Sequence, residues 1–87
     1  MKSKRTKAFR DLFAALPESV QRDAEAAYRQ FQVDPSHASL RFRPAQAHKD
    51  VYLLRVGLHY LALALRQPDC WIWFWIGTHA EYDKLLG

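Results

Sequence analysis

At 87 residues, 49% of them hydrophobic, the chain has material for one compact core and little for a second. Its formal charge is +4, with Lys2, Lys4, Arg5, Lys7 and Arg10 gathered near the N-terminus; this suits a polyanion or an acidic protein as partner, but charge alone favours a solvated, partly disordered basic arm. One cysteine excludes an intramolecular disulfide, no hydrophobic run of signal-peptide length follows the basic stretch, and the apolar run Cys70 to Ile76 is too short for a bilayer, so the chain is expected to be soluble and cytoplasmic.

Taken in chain order, Phe9, Leu12, Phe13 and Leu16 recur at i, i+3, i+4 and i+7, which predicts an amphipathic helix of about three turns closed by Pro17. The same proline suits the start of a second helix, where Val20, Ala24, Ala27, Tyr28 and Phe31 repeat the spacing and Glu18 complements the helix dipole. That helix is expected to stop near Val33, because Asp34 precedes Pro35 and a residue before proline is pushed out of the helical region. Two helices therefore form a hairpin, and Asp34 to Ser39 reads as a turn. From Leu40 the period drops towards two, with Leu40 and Phe42 on one side of a strand, Arg41 and Arg43 on the other, and Pro44 ending it. Past a polar loop containing His48, Lys49 and Asp50, the segments Val51–Val56 and Leu58–Leu65 read as two antiparallel neighbours or as one long strand bent at Gly57.

Pro68 and Asp69 make the next turn, and Cys70-Trp71-Ile72-Trp73-Phe74-Trp75-Ile76 is apolar throughout, as in a central strand covered on both faces and ended by Gly77. The helical hairpin supplies one cover. Trp71, Trp73 and Trp75 on the other face would form a large apolar patch unless a partner covered them. Thr78-His79-Ala80-Glu81 has the form of a capping box, which puts His79 at the first helical position and Tyr82, Leu85 and Leu86 at helical spacing behind it. The fold class is α+β: an N-terminal helical hairpin on a small antiparallel sheet, a short C-terminal helix, and one domain over residues 1–87.

A histidine at a strand-to-helix junction is held by rigid backbone and titrates near neutral pH, so His79 suits proton transfer; the alternative is a surface residue without a role. Arg55 interrupts an apolar strand and needs a reason: an ion pair, an edge position, or a phosphate to grip. His59 shares strand parity with Leu61, Leu63 and Leu65, the pattern of a core histidine. Arg41 and Arg43, with His48 and Lys49 in the next loop, make either a basic wall or a solvated strand face. His37, His48, His59 and His79 show no paired ligand spacing, so no metal is expected. Nor is there a phosphate-binding glycine loop, a dinucleotide fingerprint or a hydrolase elbow, and no cofactor is expected.

The element order, the pieces Leu16-Pro17, Ala27-Tyr28, Asp34-Pro35-Ser36-His37 and Arg55-Val56-Gly57, and above all Ile76-Gly77-Thr78-His79-Ala80-Glu81-Tyr82 resemble the RelE/ParE superfamily of bacterial toxins over nearly the whole chain. That resemblance implies the toxin of a type II toxin–antitoxin system, neutralised by a cognate antitoxin protein. It implies either a metal-independent endoribonuclease that cuts messenger RNA on the ribosome and inhibits translation, or, in the ParE branch, a DNA gyrase inhibitor without nuclease activity. By the same resemblance His79 falls where some RNA-cutting relatives place a catalytic histidine, as acid or base, and Arg55 would hold phosphate. Tyr82 would stack on a base or bond phosphate, or pack the helix onto the sheet. Arg41, Arg43 and Lys49 would track RNA or the ribosome. Relatives commonly carry Gly-Tyr-Arg after the bend where this chain has His59-Tyr60-Leu61, and lysines where it has Leu53 and Leu54. His59 would replace the missing arginine in part.

Overall fold

The computed structural model describes residues 2–46 and 48–86. Strands β1 (Lys2–Arg5), β2 (Arg43–Pro44), β3 (Val51–Val56), β4 (Tyr60–Gln67) and β5 (Cys70–Thr78) form one sheet in the order β1-β5-β4-β3-β2. All pairs are antiparallel except β1 with β5. Helices α1 (Lys7–Ala14) and α2 (Glu18–Val33) lie on one face, and α3 (His79–Leu86) continues directly from β5. The α+β class, the hairpin and the C-terminal helix are those the sequence predicts. None of the described helices is long and apolar enough to cross a membrane.

The basic N-terminus is not a free arm. Lys2–Arg5 pair in parallel with β5, Lys2 opposite Cys70 and Arg5 opposite Trp73, and Thr6 N–H donates to the Trp73 carbonyl at 3.0 Å. A Lys-Ser-Lys-Arg segment has no hydrophobic alternation to announce it; the vacant edge of β5 makes it a strand, and its charges blunt the new edge. Thr6 then caps α1 by accepting from Phe9 N–H at 3.0 Å. That helix has 8 residues, shorter than predicted, because Ala15 and Leu16 close with tighter bonds to the Leu12 and Phe13 carbonyls before Pro17. Gln21 Nε2 reaches back from α2 to the Phe13 carbonyl at 3.0 Å, tying the hairpin together. Asp34 caps α2 in an extended conformation, as the following proline demands.

The strand predicted from Leu40 is mostly absent. Ala38–Leu40 form a 3-10 turn, Arg41 follows in the left-handed region at φ 44°, and pairing begins only at Arg43, opposite Leu53, and Pro44, opposite Tyr52. Leu40 is driven into the core at 2% exposure, and that burial overrides the alternating pattern. Pro44 ends the short edge strand, as the sequence predicts, at a position where a missing N–H is tolerated. Further on, the two-strand reading of Val51–Leu65 is the correct one, with Gly57 at φ 59° in the turn between β3 and β4.

The tryptophans do not share a face. β4 opposes Leu63 to Trp75 and Ala64 to Trp73, so Phe74 is an extra residue, and this bulge reverses the alternation. Trp71 and Trp73 pack under the helices with Phe9, Phe31, Leu54 and Ile76, whereas Phe74 and Trp75 pack with Leu53, Leu61, Leu63 and Tyr82 on the opposite face. The chain's own residues thus fill much of the surface expected to need a partner. β5 also runs beyond Ile76, through Gly77 to Thr78. The indole Nε1 of Trp73 is buried without an acceptor among the described residues. Leu85 on α3 is 55% exposed, and the side chain of Leu86 lies outside what is described.

Gly77 is required by a close approach. A β-carbon there would stand 2.6 Å from both Cζ2 and Cη2 of Trp75 and 3.0 Å from Glu81 Oε1. Gly77→Ala is expected to destabilise the chain by about 1–3 kcal/mol, the range for overpacking, read as a lowered midpoint in urea unfolding.

Candidate functional site

The junction of β5 with α3 is fixed by local hydrogen bonds. Thr78 N–H donates to Glu81 Oε1 at 2.8 Å, and Glu81 N–H donates to Thr78 Oγ1 at 3.0 Å, so the capping box read from sequence is closed in both directions. His79 is the first residue of α3, and its backbone N–H donates to the His59 carbonyl at 2.8 Å. That bond joins the helix start to the β3–β4 turn and places the two histidines side by side.

Next to this junction is a cleft of about 190 Å³ lined by Arg41, Arg43, Arg55, Leu58, His59, Tyr60, Leu61 and His79. Five of the seven residues singled out from sequence meet there. Arg55 projects from β3 with its Nε donating to the Gly57 carbonyl at 2.9 Å, which folds the guanidinium over the turn, and it makes no ion pair among the described residues. Arg43 NH1 donates to the Arg41 carbonyl at 2.7 Å, linking the left-handed residue to the edge strand. Among the described residues no carboxylate lines the cleft, so its field is that of three guanidiniums and two imidazoles. His59 is exposed on the turn and does not enter the core, because β4 begins one residue later at Tyr60.

The other two residues lie elsewhere. Lys49 is exposed on the turn before β3 and does not line the cleft. Tyr82 is half-buried against the Leu53–Leu61–Leu63 cluster and presents its ring edge-on to His79, with 6.1 Å between centroids. Tyr60 and Leu61 contribute to the wall without having been picked out as site residues. Asp83 Oδ2 stands 3.3 Å from His79 Nδ1; a His followed four residues later by Asp in a predicted helix was the available signal. A larger depression of about 440 Å³ between α1, α2 and the sheet is walled by Phe9, Phe13, Tyr28 and Trp73. No histidine lines it among the described residues.

No family model and no curated protein matches the sequence. Solved structures match closely in shape. The RelB–RelE antitoxin–toxin complex from Methanococcus jannaschii superposes with a TM-score of 0.75 at 15% identity, covering 95% of this chain and 98% of that one. The chain has the RelE-like fold. YafQ from E. coli gives a TM-score of 0.76 at 13% identity over 99% of this chain and 98% of YafQ. HP0894 from Helicobacter pylori gives 0.67 at 18% identity, with 92% and 96% covered. At such identities the likeness is one of fold, and the RelE-like frame places the cleft at the end of the sheet where β5 turns into α3.

The Glu81 carboxyl is held below its ordinary range, first by the hydrogen bond from Thr78 N–H, then by the Thr78 side chain, with a smaller contribution from Lys84. Because the folded value is the lower one, the stabilisation is complete above the unfolded pKa and is lost as pH falls through the folded value. Glu81→Gln is therefore expected to lie below the parent in stability at neutral pH and to converge with it from about pH 5 downward. Thr78→Ala is expected to cost about 1 kcal/mol, and urea titrations across this range check both.

Proposed function

We propose that this chain is the toxin of a type II toxin–antitoxin pair, a cytoplasmic endoribonuclease that cuts messenger RNA on the ribosome, inhibits translation and arrests growth until a cognate antitoxin neutralises it. The observation that carries this reading is the convergence of Arg41, Arg43, Arg55, His59 and His79 on one cleft that no carboxylate lines among the described residues. The RelE-like fold, shared with structures solved as antitoxin–toxin complexes, supports it.

An RNA phosphodiester carries its own nucleophile, the neighbouring 2′-hydroxyl. Cleavage needs a base to take that proton, an acid to protonate the departing 5′-oxygen, and cations for the charge that builds on the non-bridging oxygens. His79 is one member of the acid–base pair, and His59, held beside it, is the other. The 2′-oxygen–phosphorus bond forms as the phosphorus–5′-oxygen bond breaks. The products carry a 2′,3′-cyclic phosphate and a 5′-hydroxyl. Arg55 grips the phosphate with the planar fork that suits its oxygens, and Arg41 and Arg43 hold the flanking backbone. Tyr82 supports the His79 ring, and Lys49 reaches RNA or ribosome outside the cleft. No step calls for a metal or cofactor.

His79→Ala is expected to lower cleavage by about 10²–10⁴-fold, and Arg55→Ala by about 10²–10³-fold, with both variants still folded and antitoxin-bound. Induction of the chain alone in bacteria, followed by mapping of transcript ends and measurement of translation and chromosome integrity, checks this. Growth arrest retained by His79→Ala would overturn the assignment, and intact transcripts with DNA damage would point to gyrase instead.

A further inference from the structure

An imidazole can serve as base or acid only if the nitrogen facing the substrate is in the right state. That state is set by what the other nitrogen touches. In this chain His79 lines the cleft while its Nδ1 lies 3.3 Å from Asp83 Oδ2, one turn along α3. The contact is at ion-pair distance without the alignment of a hydrogen bond; a small turn of the Asp83 side chain would let its carboxylate accept from Nδ1–H, leaving the lone pair on Nε2, on the far side of the ring. The Tyr82 ring stands edge-on at an interplanar angle of 75° and limits rotation of the imidazole from a second direction.

Other charged groups near His79 do not take Asp83's place. The Glu81 carboxylate on the same helix is engaged by Thr78 N–H, and Lys84 follows Asp83 in the last turn. Among the described residues the charged or titratable groups across the cleft are Arg41, Arg43, Arg55 and His59, none of which can accept a proton from Nδ1–H as a carboxylate can. Among the described residues Asp83 makes no other ion pair.

Helix stability is a poor reason for this pairing. Both side chains are about 60% exposed, at 60% and 61%, where solvent screens an ion pair strongly. A cation at the first position with its anion four residues later is also the less favourable order along the helix dipole.

We propose that Asp83 is the positioning residue of His79, fixing the Nδ1–H tautomer and turning Nε2 towards the cleft. This rests on the nuclease reading for its catalytic consequence, but not for the tautomer itself. The two are measured separately, on the chain labelled with ¹⁵N-histidine and on ribosomes loaded with a short messenger RNA.

Nitrogen chemical shifts of the neutral His79 ring are expected to show Nδ1–H in the parent and in Asp83→Asn, whose amide oxygen still accepts, and mainly Nε2–H in Asp83→Ala. On RNA, Asp83→Ala is expected to lose about 10–100-fold in kcat with little change in KM, the usual scale for an orienting partner, and Asp83→Asn to recover part of it. An Asp83→Ala ring that keeps the parent tautomer overturns the proposal. So does a switched tautomer with kcat unchanged while His79→Ala is inactive. A parent chain that shows the tautomer switch on mutation but cuts no RNA supports the Asp83 contact and overturns the nuclease reading instead.

Discussion

The pairing of β4 with β5, and the single bulge within it, is the constraint on which the remaining structure depends. Leu63 and Ala64, both fully buried, sit where the bulge forms opposite Phe74. Because the extra residue flips the alternation, Trp73 enters the core under the helices and Trp75 the one on the other face. A regular strand would send Trp71, Trp73 and Trp75 to one side. The same ladder ends with Tyr60 opposite Thr78, which leaves His59 in the preceding turn and His79 in the following helix as neighbours. Their backbone bond of 2.8 Å closes the corner. A register slip of one residue would exchange every side chain between faces and separate the two histidines.

Features set by residues close in sequence were readable before the structure. The capping box involves two residues three apart, and Asp34-Pro35 ends a helix by a steric clash between neighbours, so both appear as expected. Features set by distant partners were not. β1 exists because β5 offers a free edge, and nothing in Lys-Ser-Lys-Arg encodes that edge. The bulge at Phe74 depends on which β4 residues oppose it, and a run apolar at every position has no pattern to betray the extra residue. Arg41 takes a left-handed turn because Leu40 must be buried and β2 must begin at Arg43, two tertiary demands on one local segment.

The candidate site divides in the same way. Arg41, Arg43, Arg55, His59 and His79 could each be named from sequence, but on separate grounds, and their meeting in one cleft is a result of topology. Topology also accounts for the departures from the cationic pattern of the resembling family. Leu53, Leu54 and Leu61 are each 3% exposed, on strands covered by packed side chains. A lysine or arginine confined to such a site would carry a desolvation cost that only a close counter-ion offsets. Arg43 sits directly opposite Leu53 on the edge strand, so positive charge omitted from β3 is supplied by its neighbour, where solvent can reach it.

The dimensions of the cleft bear on how such a site would select its substrate. Pockets that enclose a small-molecule ligand run to about 300–1,000 Å³, and this one, near 190 Å³, is smaller and walled by the exposed Arg41 and Arg43 and the half-buried Arg55. It has room to grip one phosphodiester linkage but not to enclose the bases on either side. Base-specific recognition of single-stranded RNA relies on stacking against aromatic or arginine planes; among the described residues the arginines and imidazoles of the cleft are assigned to the phosphate and its protons, which leaves Tyr60, and the tryptophans are committed to the two cores. A site of this kind gains most of its rate from positioning. With so little surface to fix the strand itself, the nuclease reading requires the RNA to arrive already held, as a messenger threaded through a ribosome is. Arginines that grip any phosphate then suffice, and the choice of cleavage position passes to whatever presents the strand.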